Sequence, residues 1–262
     1  MRGIILAAGK GSRLNGTAGD KPKCLVEIGG LTLVERQLQI LERAGVDDVT
    51  IVVGCAADRV RSQCGHRAAY IENTRYAETN SLYSLWMARA LLSEGFVVLN
   101  CDVLFHPVLL TDLLTSRHPE ALLIAYREAH QPIFGDEEMK VKVRCGRVVD
   151  MSKAIEPSEA DGENLGIVKF SPAGAAVLVQ IMDNLVAAGE LRAWAPRAFC
   201  EFAQARPLHA ISTRGLPWIE IDFPEDYQRA VREVLPAIDA LTGDEIDERV
   251  AANPVRMAAD AR

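Results

Sequence analysis

The sequence predicts an α/β fold: a Rossmann-like, mainly parallel mixed sheet with helices on both sides and a small β-hairpin insertion. Three observations predict it. Apolar runs of strand length recur, among them "RGIILAA", "VTIVVG" and "GFVVLNCDVLF". Unbroken runs of this kind mark strands buried on both faces. Segments with helical spacing stand between them, and that alternation builds a parallel sheet covered by helices. After residue 128 the rhythm changes to short alternating strands, "MKVKVRCGRVVDMSKAI", joined at Cys145-Gly146 as a hairpin would be.

The elements follow in order. "RGIILAA" is the first strand. "LTLVERQLQILERAG" places Leu33, Leu38 and Leu41 on one helical stripe, and Gly45 closes it. "VTIVVG" and the weaker "AAYIEN" are the next strands. "NSLYSLWMARALL" opens on Asn80, a good N-cap, with Leu82, Leu85, Trp86 and Ala90 near one stripe. "GFVVLNCDVLF" is a fourth strand, and "PVLLTDLL" and "ALLIAYRE" are a helix and a strand. Beyond the hairpin, "NLGIVKFSP" is a strand and "PAGAAVLVQIMDNLVAAG" a long helix with Pro172 at its start. "LPWIEIDFPEDYQRAVREVL" reads as strand, turn and helix. These elements make one domain over 1–235, and the Ala- and Asp-rich stretch 236–262 is a helical or frayed tail.

Composition bounds the function. The chain has 262 residues, 49% hydrophobic, enough to bury a full core. A net charge of −7 argues against a general nucleic-acid binder. No apolar run approaches a membrane span, so a cytoplasmic protein without membrane contact is expected. Six cysteines without a C-x-x-C pair read as reduced thiols.

Against that acidic background the loop after the first strand is basic. Residues 10–23 carry Lys10, Arg13, Lys21 and Lys23 against Asp20, a local charge of +3. Gly9 and Gly11 do not complete a dinucleotide fingerprint, because Leu14 stands at the third glycine position. Nor is this a phosphate loop, since Thr17 follows Gly16 where lysine is required. What remains is a glycine-rich turn able to aim several backbone N–H groups at one anion, with Arg13 and Lys23 adding charge. Pro22 stiffens the approach to Lys23.

Asp102 and Asp222 each follow an apolar run, where ligands bind beyond strand ends. Two such carboxylates meeting over the sheet suit Mg²⁺ beside nucleotide phosphates. The plainer alternatives are a turn acid before Pro107 for Asp102 and an N-cap before Pro224 for Asp222.

"AAGKGSRL...KPKCLVEIGG" resembles the signature of the nucleoside-triphosphate transferases of the sugar-nucleotide pyrophosphorylase fold. "ENTRYAETNSLYSLW" and "IEIDFPEDYQRA" are similar to the bacterial choline-phosphate cytidylyltransferase group, whose relatives act on 2-aminoethylphosphonate and inositol 1-phosphate. The resemblance covers roughly residues 1–235 and implies the nucleotide-diphospho-sugar transferase type of fold. It also implies a reaction in which CTP and a small phosphate or phosphonate monoester give a CDP-type product and pyrophosphate, with Mg²⁺ as cofactor. Under it, Leu6, Ala7, Ala8 and Gly9 present backbone to the nucleotide. Gly11 and Arg13 hold its phosphates, and Lys23 bridges the α-phosphate and the acceptor. Thr79, Asn80 and Ser81 approach base and ribose, and Asp102 and Asp222 bind the metal. One departure argues against a hexose 1-phosphate acceptor: "RLNGTAGDKPK" lacks the proline after Arg-Leu and the threonine before lysine found in many sugar-nucleotide relatives.

Choline phosphate is the first acceptor to consider, and its quaternary ammonium calls for aromatic faces. The rings on offer are Tyr83, Trp86, Tyr126, Trp194, Phe199 and Trp218, with Tyr83 and Trp194 the preferred pocket residues. Glu128, Glu163 and Asn164 would bind an amine or the hydroxyls of an inositol, the last two from a loop before a strand. The readings left open are another base or acceptor, including a molybdopterin guanylyltransferase or a sugar-1-phosphate enzyme, and a non-catalytic nucleotide-sensing module. A homodimer is admitted as the assembly.

Overall fold

The computed structural model describes residues 1–14, 21–127 and 134–242. β1 (Arg2–Ala7) is followed by a two-residue pair, β2 (Glu27–Ile28) and β3 (Leu31–Thr32), and by α1 (Leu33–Arg43). Then come β4 (Val49–Val53), α2 (Ala57–Cys64), β5 (Ala69–Glu72), α3 (Ser81–Met87), β6 (Phe96–Asn100) and β7 (Val103–Phe105). The second half holds α4 (Pro107–Thr115), β8 (Ala121–Tyr126), β9 (Lys140–Arg144), β10 (Arg147–Ser152) and β11 (Gly162–Phe170). It closes with α5 (Pro172–Ala187), α6 (Ala195–Ala205), β12 (His209–Ser212), β13 (Trp218–Glu220) and α7 (Pro224–Arg229).

The nine-stranded sheet runs β5-β4-β1-β6-β11-β8-β12-β10-β9. β5, β4, β1 and β6 pair in parallel, and β11 and the β9–β10 hairpin pair antiparallel. Side chains alternate across β1: Ile5 and Ala7 pack under α1, α2 and α4, and Ile4 and Leu6 under α3, α5 and α6. Both faces are therefore dry, which is why the strand reads as one apolar run. The hairpin turns at Cys145 and Gly146, both at positive φ (50° and 73°), the backbone that a tight two-residue turn requires. The expected fourth strand is two strands, β6 and β7, broken at Cys101-Asp102. β13 lies antiparallel to β7, with Glu220 opposite Val103.

At the start of α1 the Thr32 hydroxyl accepts from the Glu35 N–H (3.3 Å), and the Glu35 carboxylate accepts from the Thr32 N–H (3.0 Å). This reciprocal cap satisfies two N–H groups that the helix leaves open. Thr32→Ala is expected to lower stability by about 1 kcal/mol. A denaturant midpoint that does not move would mean that packing alone holds the helix.

The helix after β13 continues past residue 235 into the start of the stretch expected to be helical or frayed. It passes through a π-helical turn over Ala230–Val234 and stays helical to residue 242. Leu235 and Ile238 pack there against Ile28, Leu33 and Ile221. The rest of the expected tail lies outside the described residues. No helix among the described residues is long and apolar enough to cross a membrane. All six cysteines are free thiols.

Candidate active site

The chain runs from β1 outward to β4 and β5 and then returns to the other side of β1 as β6. That reversal opens a crevice beyond the carboxyl ends of β1 and β6, where open α/β sheets bind ligands. A cavity of about 450 Å³ lies there.

One side is cationic. Gly11 has φ +65°, and a Cβ on it would stand 2.9 Å from the Lys23 backbone nitrogen. Only glycine lets the loop lie against the Lys23 turn in this way. Arg13 Nη1 donates to Glu137 Oε2 (2.9 Å), stands 3.9 Å from an Asp222 oxygen, and its guanidinium lies 5.4 Å from the centre of the Phe223 ring. Lys153 Nζ donates to the same Glu137 oxygen (3.1 Å). One carboxylate thus joins two cations across the cavity mouth.

The other side is acidic. Buried Gln37 on α1 donates to the Asn100 carbonyl (2.8 Å) and the Val103 carbonyl (3.0 Å), fixing the turn that carries Asp102. The Ile221 N–H donates to the Asp102 carbonyl (2.9 Å), tying that turn to the end of β13. Asp226 accepts from the N–H groups of Asp222 (3.1 Å) and Phe223 (2.9 Å), so it takes the capping duty and leaves the Asp222 side chain for the cavity. Lys23 Nζ donates to Asp102 (3.0 Å) and also to Asp222. Asp102, Glu220 and Asp222 each offer an oxygen within 4.8 Å of the others. Burial, then the neighbouring Asp102 charge, pushes Glu220 up to about 7. Asp102 Oδ1 is buried with no partner among the described residues.

The cavity wall includes Leu6, Ala8, Gly9, Gly11, Arg13, Lys23, Thr79, Asn80, Ser81, Asp102, Asn164, Trp194 and Asp222 from the set expected on sequence. Asn80 caps α3, its Oδ1 accepting from the Ser81 N–H (2.8 Å), and Ser81 Oγ accepts from the Ala195 N–H (2.9 Å). The α3 start is thereby pinned to the segment bearing Trp194.

Other expected residues stand off the wall or in a different element. The Ala7 side chain is packed in the core below the cavity, whereas the expectation for Ala7 concerns its backbone. Tyr83 is off the wall; its ring lies 5.2 Å from the Trp86 ring, and Arg75 covers it at 5.6 Å. Glu163 and Asn164 are inside β11 rather than in a loop before it. Burial, then Glu220 and Glu138, pushes Glu163 up to about 8, so it keeps its proton at neutral pH off the cavity wall. Glu128 lies outside the described residues. Among the other rings, Phe199 is core, Trp218 packs against the core and Tyr126 is exposed on the surface. Trp86 donates from Nε1 to Asp183 (2.7 Å). Trp194 alone of the expected rings faces the cavity, with Lys153 Nζ 5.3 Å from its centre.

The wall also holds residues not anticipated: Asn73, Tyr76, Ser84, Glu137, Lys153 and Glu220. Glu220 had a signal, since it stands two residues before Asp222 and residues two apart in a strand share a face.

The family of MobA-like NTP transferase domains matches residues 3–253. The choline-phosphate cytidylyltransferase of Streptococcus pneumoniae is 26% identical over 247 residues, 90% of this chain and 98% of that protein. The bifunctional IPC transferase and DIPP synthase of Rubrobacter xylanophilus is 29% identical over 238 residues, 88% of this chain and 51% of that longer protein. The solved inositol-1-phosphate CTP transferase from T. maritima shares the fold with a TM-score of 0.74 at 22% identity, over 90% of this chain and 95% of that one. The chain shares the Rossmann-like sheet of the nucleotide-diphospho-sugar transferases with that solved structure. With a match over nearly its whole length and curated nucleotidyltransferases as relatives, the chain is a nucleotidyltransferase and belongs to the family of MobA-like NTP transferase domains.

Proposed function

We propose that the chain is a CTP-dependent cytidylyltransferase joining CMP to a small phosphate or phosphonate monoester, choline phosphate first, with release of pyrophosphate. One observation carries the reading: a cationic loop and a carboxylate trio meet in a cavity at the strand-order reversal, with Lys23 donating to two of the three carboxylates. The similarity to a choline-phosphate cytidylyltransferase supports the base and the acceptor class.

In the reaction, an anionic oxygen of the acceptor forms a bond to the α-phosphorus of CTP. The bond from that phosphorus to the bridging β-phosphate oxygen breaks, and pyrophosphate leaves with the electron pair. The acceptor arrives deprotonated, so no protein nucleophile is needed. Catalysis is positioning and charge stabilisation. The backbone of Gly9 and Gly11, with Arg13, holds the phosphates. Lys23 neutralises charge between α-phosphate and acceptor, and Thr79, Asn80 and Ser81 line the base and ribose side.

The donor set fits Mg²⁺. Three carboxylates offer hard oxygen ligands, and the unpartnered Asp102 Oδ1 has a lone pair to give. Asp102, Asp222 and Glu220 would hold the ion, which when bound screens the triphosphate charge.

Trp194 is the ring available to a cationic acceptor, and it is 49% exposed. An exposed cation–π contact contributes about 0.5–1 kcal/mol. Trp194→Ala is therefore expected to raise KM for choline phosphate roughly 2- to 5-fold. KM for CTP should stay the same; a parallel rise would assign the ring to the nucleotide.

A second reading has its own observation. Lys153 occupies the Trp194 ring face that a cationic head would take, which favours a polyol acceptor such as inositol 1-phosphate. Pyrophosphate release tests both, with each nucleoside triphosphate set against choline phosphate, ethanolamine phosphate, aminoethylphosphonate, inositol phosphate and hexose phosphates. CTP with a cationic acceptor supports the first reading. CTP with inositol phosphate supports the second. A preference for GTP or a hexose phosphate overturns the proposal.

A further inference from the structure

Asn73, just beyond β5, is 1% exposed and lies behind the α3 side of the cavity. Its Oδ1 accepts from the Arg75 backbone N–H (3.0 Å). A backbone N–H can only donate, so the amide oxygen is fixed on that side and Nδ2 must face the other way. Nδ2 donates to Thr79 Oγ1 (3.0 Å) and to Ser84 Oγ (3.1 Å). Both amide protons are spent.

The two hydroxyls are left with opposite characters. Thr79 donates its own proton to the Arg75 carbonyl (2.9 Å), so toward the cavity it can only accept. Ser84 accepts from Asn73, and no acceptor for its proton is found among the described residues. It is 3% exposed and on the cavity wall, so a ligand is the partner left for that proton. The wall therefore offers an acceptor at Thr79 and a donor at Ser84.

Cytosine carries an N–H donor at N4 and acceptors at N3 and O2. Uracil carries an acceptor at O4 and a donor at N3. We propose that Asn73 is the positioning residue for base selection: its amide fixes the polarity of the Thr79–Ser84 hydroxyl pair, so that the wall reads cytosine and rejects uracil. The inference rests on the CTP reading above and adds how that base is told from its nearest pyrimidine. A buried mismatch of donor against donor, or acceptor against acceptor, is costly because neither group regains water.

Calorimetric titration of the full chain with CTP and with UTP, in Mg²⁺ and without acceptor, tests the proposal. The wild-type chain is expected to bind CTP roughly 10- to 100-fold more tightly than UTP. Asn73→Asp keeps the acceptor for the Arg75 N–H but cannot donate. The hydroxyl protons then turn onto the carboxylate, and Ser84 presents a lone pair. The added charge weakens both triphosphates alike, so the CTP:UTP ratio isolates the base; it is expected to fall toward one. Thr79→Val, at a partly exposed position, removes the acceptor without a buried charge, and CTP should weaken more than UTP. Parallel weakening of both nucleotides with the ratio kept in both variants would overturn the role of Asn73 and leave the cytidylyltransferase proposal standing. Equal wild-type affinities for CTP and UTP would also overturn it. Tighter binding of a purine triphosphate than of either pyrimidine would overturn the CTP reading itself.

Discussion

Replacement of Lys23 by alanine is expected to lower kcat by roughly 10²-fold or more, the loss typical of one charge-stabilising donor. The side chain is mostly buried and donates to both Asp102 and Asp222. Those contacts hold its ammonium group against two carboxylates inside the cavity before any ligand arrives, so its position is set in advance. The same contacts give the variant a second signature. Without the ammonium group, Asp102, Asp222 and Glu220 face each other with only Arg13, 3.9 Å from Asp222, left as a neighbouring cation. Stability of the metal-free chain should fall, and Mg²⁺ should restore part of it by replacing one cation with another. Single-turnover kinetics and thermal melts with and without Mg²⁺ check both. Unchanged kcat would remove Lys23 from the chemistry whatever the melts show.

Asp102→Asn is expected to be at least as damaging. Metal-ion charge stabilisation contributes several kcal/mol to transfers of this kind, which corresponds to roughly 10³-fold. An amide ligand is neutral, and with its oxygen accepting from Lys23 its NH₂ takes the place of the unpartnered Oδ1 that would bind the ion. Turnover should be lost in excess chelator for the native chain and return with Mg²⁺ or Mn²⁺. In the variant, added metal should return little. Full turnover in chelator would sink the metal role of all three carboxylates together.

Much of the fold is legible because burial on both faces leaves an unbroken apolar run, as in β1, β4 and β6. The segments without an assigned element each have a physical cause. α2 buries only Ala57, Val60 and Cys64, too narrow a stripe to show a period in "ADRVRSQC". α6 begins at Ala195 and Pro196, where proline is tolerated in a first turn but reads as a loop. β12 is four half-buried residues at the junction with the hairpin. In the site, the glycine loop and both aspartates are legible because each ends a buried strand. Tyr83 stands one helical position away from the residues on the wall: Asn80, Ser81 and Ser84 share the face toward the cavity, at spacings of three and four. Gln37 and Lys153 act through partners far along the chain, and a single sequence carries no mark of that pairing.

The antiparallel contact of β13 with β7 has a consequence for the birth of the enzyme. Asp222 lies 120 residues after Asp102. At synthesis rates of about 5–20 residues per second, it leaves the ribosome roughly 6–24 s later. The parallel strands, the glycine loop and Lys23 are all made by then. A nascent chain can thus build its basic loop early, while its acidic side waits for β13, the last described strand. The carboxylate trio is complete only once β13 docks beside β7, after every other described strand has been made.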